Sequence, residues 1–143
     1  MDRTDEEVEI RAMIDAWAEA IRGKDAKGVA AHFTEHEVRF SLAPPLQITT
    51  PLLREQEEWF ATWNGPIGFE VRDLCVTAGE GIAFCHCFVR ISGKKTDGTE
   101  PSVWARETLC LCKIAGRWRI AHEHGSVPFY MDGSNKAAVN LQP

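Results

Sequence analysis

The chain has 143 residues, of which 44% are hydrophobic and 26% are charged, and its formal net charge is -5. These values are typical of one globular domain with a sizeable core and exclude a disordered tail. The negative charge argues against nucleic acid and anionic membranes as main partners. No apolar run approaches the roughly 20 residues of a membrane-spanning helix, and the acidic start is unlike a secretory signal. We therefore expect one cytoplasmic domain over residues 1–143, with 127–143 as a C-terminal tail.

The first part of the chain is predicted to be helical. Apolar residues recur there at spacings of four, three and four, and so form one helical stripe: Ile10, Ile14, Trp17 and Ile21. Gly23 ends this helix, and a short second helix is predicted over 25–33 with Asp25 as its N-cap.

A short strand and a third helix are predicted next. The strand covers 38–42, because Pro44 and Pro45 end it. Thr50 is predicted to cap the third helix, with Pro51 at its first position. This helix places one polar and four apolar residues on one side: Leu52, Gln56, Trp59, Phe60 and Trp63.

From Phe69 onward the hydrophobic period changes to two, which indicates strands. Four strands joined by short polar turns are predicted over 69–77, 82–92, 102–114 and 117–126. Helices first and hairpin-linked strands afterwards predict an α+β fold, in which the helices cover one face of a curved antiparallel sheet.

The hairpin lengths favour one register, in which the opposed pairs are Thr77 with Ile82, Cys85 with Cys110, and Ile114 with Arg117. One sheet face then carries three rows that mix polar and apolar residues: Asp73, His86, Leu109 and His122; Val71, Phe88, Glu107 and His124; Phe69, Arg90, Ala105 and Ser126. The opposite face carries Cys85, Cys110 and Cys112. A slip of one residue in any hairpin would move that strand's side chains to the other face.

The titratable residues of the first face suggest an acid/base pocket. An imidazole beside a carboxylate suits proton transfer near neutral pH, and the register forms two such pairs. The catalytic candidates are His86 with Asp73, His124 with Glu107, and His122. Arg90 would bind a carboxylate or a developing enolate oxygen. The alternative is that these are structural polar groups with satisfied hydrogen bonds.

Several aromatic residues could line the same pocket and bind a ring-shaped ligand, together with one amide. These candidates are Trp17, Phe33, Phe40, Gln56, Trp59, Phe60, Trp63 and Phe88. Helical spacing makes ordinary core packing the alternative for most of them.

No metal or other cofactor is predicted. His122 and His124 would point the same way, but a third ligand, Asp73 or Glu107, is not demanded by their spacing. The two Cys-x-Cys pairs lie within strands, where cysteine is commonly a small buried hydrophobe.

Several motifs resemble the nuclear transport factor 2-like (NTF2-like) superfamily, and within it the SnoaL-like and ketosteroid-isomerase-like small proteins. The segment 118–126 reads WRIAHEHGS and carries this resemblance with the order of elements. Segment 104–108, WARET, and segment 88–90, FVR, are also similar to the association domain of calcium/calmodulin-dependent protein kinase II. Two departures stand out. Leu109 occupies the position of a second pocket arginine of that association domain. Ketosteroid isomerases use a tyrosine in their oxyanion hole, whereas the only tyrosine of this chain, Tyr130, lies in the tail.

The resemblance implies a cone-shaped half-barrel with an internal pocket, and commonly a homodimer packed through sheet faces. The face with Cys85, Cys110 and Cys112 is the predicted interface. The expected ligand is a small molecule. One hypothesis is a cofactor-free isomerase, dehydratase or cyclase acting on a carbonyl- or carboxylate-bearing compound; the other is a non-catalytic dimerisation or ligand-sensing module. The tail is expected either to close the pocket mouth or to reach across the dimer.

Overall fold

Three helices and a strand precede four long strands in the computed structural model, which describes residues 3–143 and their side chains from Asp5 onward. The elements are α1 (Arg3–Arg22), α2 (Ala26–Ala30), β1 (Phe33–Phe40), α3 (Leu52–Phe60), β2 (Gly68–Ala78), β3 (Ile82–Ser92), β4 (Ser102–Ile114) and β5 (Arg117–Ser126). None of the helices within residues 3–143 is both long and apolar enough to span a membrane.

The boundaries of the four long strands agree with the predicted ones to within a residue. The N-terminal elements differ more. Asp25 caps α2 as predicted by accepting from the amide of Gly28, but α2 ends early and Phe33 begins β1. Pro51, not Thr50, is the N-cap of α3, and no side-chain hydrogen bond caps that helix.

The five strands form one open, mixed sheet in the order β1-β5-β4-β3-β2. The four long strands pair antiparallel, whereas β1 pairs in parallel with β5. No hairpin joins β1 to its sheet neighbour, so no turn imposes an antiparallel pairing there. The α+β fold, with a curved sheet and N-terminal helices on one face, is confirmed.

The core lies between α1 and the face of the sheet that it covers, which we call the inner face. Ile10, Ile14 and Trp17 are fully buried, and the Trp17 ring meets Phe69 of β2 edge-on at 5.3 Å. The inner residues of β3 are small or of medium size: Ala83, Cys85, Cys87 and Val89. Small side chains allow a close helix–sheet approach, which explains why they face inward while Phe84 is 49% exposed.

The predicted register is wrong at β3. Cys85 pairs with Leu109 and not with Cys110, a slip of one residue across the long loop between β3 and β4. As a result Cys85 is on the inner face, whereas His86 and Phe88 are on the opposite face, which we call the outer face.

Irregular pairing in β2 and β5 changes the faces further. Asp73 has a φ of 57°, and the pairing of β2 with β3 shifts between Arg72 and Cys75. In β5 the predicted Ile114–Arg117 pair is present, but Leu111 opposes Ile120 whereas Cys110 opposes His122. One extra residue therefore enters β5, and the side chains after it exchange faces.

Candidate functional site

A cavity of about 1230 Å³ lies between the inner face of the sheet and the helices. Its walls are mainly apolar and aromatic, and include Trp17, Trp59, Trp63, Phe69, Val89 and Ala105. Exposed residues 41–47 and Val139 of the tail also line it. The volume lies slightly above the range usual for small-molecule sites. The tail borders the cavity through Val139, which is the side of the molecule expected if the tail closes the pocket mouth.

Two glutamates meet on the sheet wall of this cavity. Glu107 of β4 is 6% exposed, and its carboxyl group lies close enough to that of Glu123 of β5 to form a hydrogen bond when one of the two is protonated. Among the described residues, Glu107 Oε1 has no donor group as a partner. Two carboxyl groups can hydrogen-bond only if one of them carries a proton. Burial first, and then the charge of Glu123, raises the pKa of Glu107 well above its usual range.

Glu123 connects this pair to a buried cation. Its β1 neighbour in the parallel pairing is Arg39, which is 3% exposed. Burial and the charge of Glu55 raise the pKa of Glu123; the proximity of the Glu107 carboxyl group and the charge of Arg39 act in the opposite direction. Glu123 is therefore the member of the pair that the surroundings favour as the anion.

Arg39 has acceptors on its two terminal nitrogens, whereas its Nε is a buried donor without a hydrogen-bond partner among the described residues. Its guanidinium donates to the carboxylate of Glu55 on α3 and to the carbonyl oxygen of Thr50, and Nε lies 3.3 Å from Glu37 Oε1. These contacts fix the start of α3 against the sheet and leave the guanidinium with two carboxylate neighbours.

Gly125 provides the space that the Glu107 carboxyl occupies. It opposes Glu107 directly across the β4–β5 ladder, and a Cβ at residue 125 would lie 2.8 Å from Glu107 Oε2. A side chain at this position would thus displace the carboxyl group from the wall.

The structure separates most of the predicted catalytic residues from the cavity. Asp73 and His86 are exposed. His86 of β3 pairs with Thr108 of β4, and both side chains are on the outer face. His122 Nδ1 contacts the carbonyl oxygen of Val38 at 2.7 Å. The extra residue in β5 explains why its imidazole and Glu107 do not share a face.

Glu107 and His124 both line the cavity, but not as the predicted opposed pair. Gly125 opposes Glu107, whereas His124 opposes Thr108 and is exposed. The His124 ring packs edge-on against Phe40 at 5.3 Å. Arg90 is also outside the cavity: it is exposed, 3.8 Å from Glu70 Oε1 and near the face of Trp104.

The predicted ligand-binding residues divide into two groups. Trp17, Phe40, Gln56, Trp59 and Trp63 line the cavity. The other three do not: Phe33 and Phe60 are buried in the core, and Phe88 is on the outer face opposite Arg106.

Sequence reasoning missed Arg39, Glu55 and Glu123. Arg39 lies between two apolar residues in the predicted strand over 38–42, and Glu55 belongs to a charged stretch of α3. One signal was present: Arg39 is the only arginine or lysine of β1, and Val38 and Phe40 flank it. A lone arginine in such a strand requires acidic partners if it is buried.

Cys87 pairs with Glu107 across β3 and β4. The cysteines form no metal centre in the described side chains, where no three His, Cys, Asp or Glu groups converge. Burial raises the pKa values of the Cys85 and Cys87 thiols to about 12. All five cysteines are free.

A family model and a solved structure both relate the chain to one protein family. A family model described as a SnoaL-like domain matches residues 10–130. An NTF2-like protein of unknown function from Pseudomonas putida KT2440 is 30% identical, with 98% of each chain covered and a TM-score of 0.87. No protein with a curated description matches the chain.

Two more distant structures share the fold. A protein from Novosphingobium aromaticivorans provisionally described as a scytalone dehydratase is 15% identical over 97% of each chain, with a TM-score of 0.79. One from Xanthomonas campestris, provisionally described as a calcium/calmodulin-dependent protein kinase II association domain, is 18% identical over 82% of this chain and 84% of that one, with a TM-score of 0.71. The predicted resemblance to the NTF2-like superfamily and its SnoaL-like branch is confirmed.

Proposed function

Because the chain belongs to the SnoaL-like domain family, we propose that it binds a small organic molecule and transfers protons on it without a cofactor. The reaction type is isomerisation, dehydration or cyclisation of a carbonyl- or carboxylate-bearing compound. The supporting observation is that two neighbouring carboxyl groups, those of Glu107 and Glu123, lie on the wall of an apolar cavity, where burial raises the pKa of Glu107. A comparable fold in a protein provisionally described as a scytalone dehydratase is in accord with this chemistry.

The pair contains both groups that such a reaction needs. The carboxylate accepts a proton from the carbon beside the carbonyl, so that the C–H bond breaks and a C=C bond forms. The proton held by the other carboxyl moves to the carbonyl oxygen, which gives a neutral enol. Return of a proton to a different carbon then completes an isomerisation. A carboxylate in a dry cavity is a stronger base than one in water, because desolvation disfavours its charge.

Deuterium exchange tests this chemistry without knowledge of the natural substrate. A naphthyl methyl ketone is incubated with the protein in D₂O, and loss of its methyl proton signal is followed by NMR. We expect exchange above the buffer rate with the unchanged protein. Glu107→Gln and Glu123→Gln should each reduce it to the buffer rate, since an amide cannot accept the proton.

Glu58→Gln is the matched control. Glu58 is an exposed residue of α3 that pairs with Arg54 outside the cavity. Its substitution should leave exchange unchanged. Equal exchange in all four proteins would contradict the acid/base proposal, and ketone binding without exchange would favour the non-catalytic ligand-sensing module.

We also propose a homodimer packed through the outer face. Phe84 is 49% exposed there and lies opposite the half-buried Cys110, with Ile82 opposite Cys112. The Xanthomonas campestris protein that shares this fold is provisionally described as an association domain, which is in accord with assembly of two copies of this chain. Cys85, part of the expected interface, is excluded from it because it is buried on the inner face.

Sedimentation of Phe84→Glu tests the interface. The side chain is exposed in the protomer, so a charge there should be tolerated by the monomer and should dissociate the dimer. Leu53→Glu, which changes an exposed leucine of α3, is the control and should leave the dimer intact. An unaltered dimer in Phe84→Glu would place the interface elsewhere.

The cytoplasm is the compartment we propose for this function. Five cysteines without a disulfide suit a reducing environment. The raised pKa values of Cys85 and Cys87 keep these two thiols protonated and unreactive there.

A further inference from the structure

The outer face of the sheet carries a cationic patch, although the chain as a whole has a net charge of -5. In one cross-strand row Phe88 of β3 lies between Arg72 of β2 and Arg106 of β4, and in the next row Arg90 opposes Trp104. All three arginines are exposed. Residues that oppose one another in antiparallel strands share a face, so three cations and two aromatic rings are neighbours there. We call these five residues the arginine patch.

Contacts between side chains hold the arginine patch in place. The guanidinium carbon of Arg72 lies over the Trp104 ring, 4.3 Å from its centroid, and that of Arg90 is 5.8 Å from the same centroid. Arg106 Nε donates to Ser126 Oγ at 3.0 Å. These contacts restrict three long side chains before any ligand is present, which lowers the entropy cost of binding an anion.

A single carboxylate offsets only part of this positive charge. Glu70 accepts from Arg72 Nη2 at 3.1 Å and lies 3.8 Å from Arg90 Nη2. The three side chains are 42–45% exposed, and ion pairs at such exposure are weak. Arg106 is bound to a neutral hydroxyl instead, and it takes part in none of the ion pairs among the described side chains. Its two terminal nitrogens can therefore donate in parallel to the carboxylate of a ligand.

A groove of about 180 Å³ adjoins the arginine patch. Phe88, Trp104 and Arg106 line it from the sheet, and the tail residues Leu141 and Gln142 line it from the other side. Apart from Arg106 and Gln142, the residues that line it are apolar. The groove is smaller than the roughly 300–1,000 Å³ of a site for a drug-sized ligand, so it suits a compound with one ring.

We propose that this groove and the arginine patch form a second binding site, whose ligand is a single aromatic ring that bears a carboxylate. The ring packs on Phe88 and Trp104, and the carboxylate accepts from Arg106. The site lies on the opposite face of the sheet from the cavity. Phe88 is also four residues along β3 from Phe84 of the proposed dimer interface, or about 13 Å. The proposal is thus independent of the proposed function.

Benzoate, benzamide and acetate test the site by NMR titration at constant ionic strength. Benzamide keeps the ring without the charge, and acetate keeps the charge without the ring. The reporters are the indole N–H signals of the five tryptophans, because Trp104 lines the groove whereas Trp17, Trp59 and Trp63 line the cavity. We expect benzoate to shift the Trp104 signal with a Kd of about 1 mM. Benzamide and acetate should each bind about tenfold more weakly.

Arg106→Gln tests the role of the cation. It should weaken benzoate binding about tenfold, to the level of benzamide, and leave benzamide binding unchanged. Arg117→Gln, which changes an exposed arginine at the start of β5, is the control and should alter neither affinity.

Four results would overturn the proposal. They are the absence of a Trp104 shift at benzoate concentrations that saturate a millimolar site, and benzoate shifts confined to the tryptophans of the cavity. The others are binding of benzamide or acetate as tight as that of benzoate, and an unchanged benzoate affinity in folded Arg106→Gln protein.

Discussion

Substitution of Gly125 by alanine should displace the Glu107 carboxyl group and destabilise the fold. The new Cβ would lie 2.8 Å from Glu107 Oε2 and 3.9 Å from the carbonyl oxygen of Arg106. The first distance is about half an ångström shorter than an ordinary carbon–oxygen contact. Glu107 cannot retreat freely, because it is 6% exposed and lies beside the Glu123 carboxyl group. Overpacking of this kind costs about 1–3 kcal/mol in the free energy of unfolding.

Urea unfolding followed by tryptophan fluorescence measures this cost. Gly23→Ala is the control, since its Cβ would make only an ordinary contact of 3.6 Å with the Glu19 carbonyl oxygen; it should be neutral or slightly stabilising. In a Glu107→Ala background the collision is absent, so Gly125→Ala should then cost less than about 0.5 kcal/mol. An equal cost of Gly125→Ala in both backgrounds would refute the collision as its cause.

Three further outcomes follow from the burial of charged and thiol groups. A raised pKa in the folded state means that folding favours protonated Glu107, so the contribution of this group to stability should be complete below pH 4.5 and be lost as pH rises through the folded pKa; urea titrations should show that Glu107→Gln removes this loss, and an unchanged profile would contradict it. Arg39→Met should lower the free energy of unfolding by about 3–5 kcal/mol, because it leaves Glu55 without its buried partner; a loss below about 1 kcal/mol would count against the ion pair. A thiol reagent should modify exposed Cys75 quickly and buried Cys85 only on unfolding, as mass mapping can check; equal rates would be inconsistent with this burial.

Local patterns were sufficient to predict most elements of this fold. The stripe from Ile10 to Ile21 identified α1, and alternation bounded by short turns located the four long strands. These signals are local, because each depends on the period of one segment and on the residues that end it. The same reasoning placed Glu107, Leu109 and Ile120 on the inner face correctly.

The composition of the inner face could not be predicted, because it depends on single-residue irregularities. The long loop before β4 permits either register, and the Cys85–Cys110 pair inferred from the hairpin lengths is wrong by one residue. The extra residue near Ala121 then moved Glu123 inward and His122 outward. A period-two pattern does not reveal a bulge. One inserted residue is enough to replace His122 by Glu123 on the inner face.

Direct titration of the two cavity carboxyl groups tests the central claim, namely that Glu107 and Glu123 share a proton within the cavity. The measurement is the ¹³C shift of glutamate side-chain carboxyl carbons against pH, with Glu107→Gln and Glu123→Gln used to assign the two signals. We expect Glu107 to remain protonated far above its ordinary pKa of 4.5 and its titration to shift when Glu123 is replaced. Titration of both groups near 4.5, each independent of the other, would contradict the account.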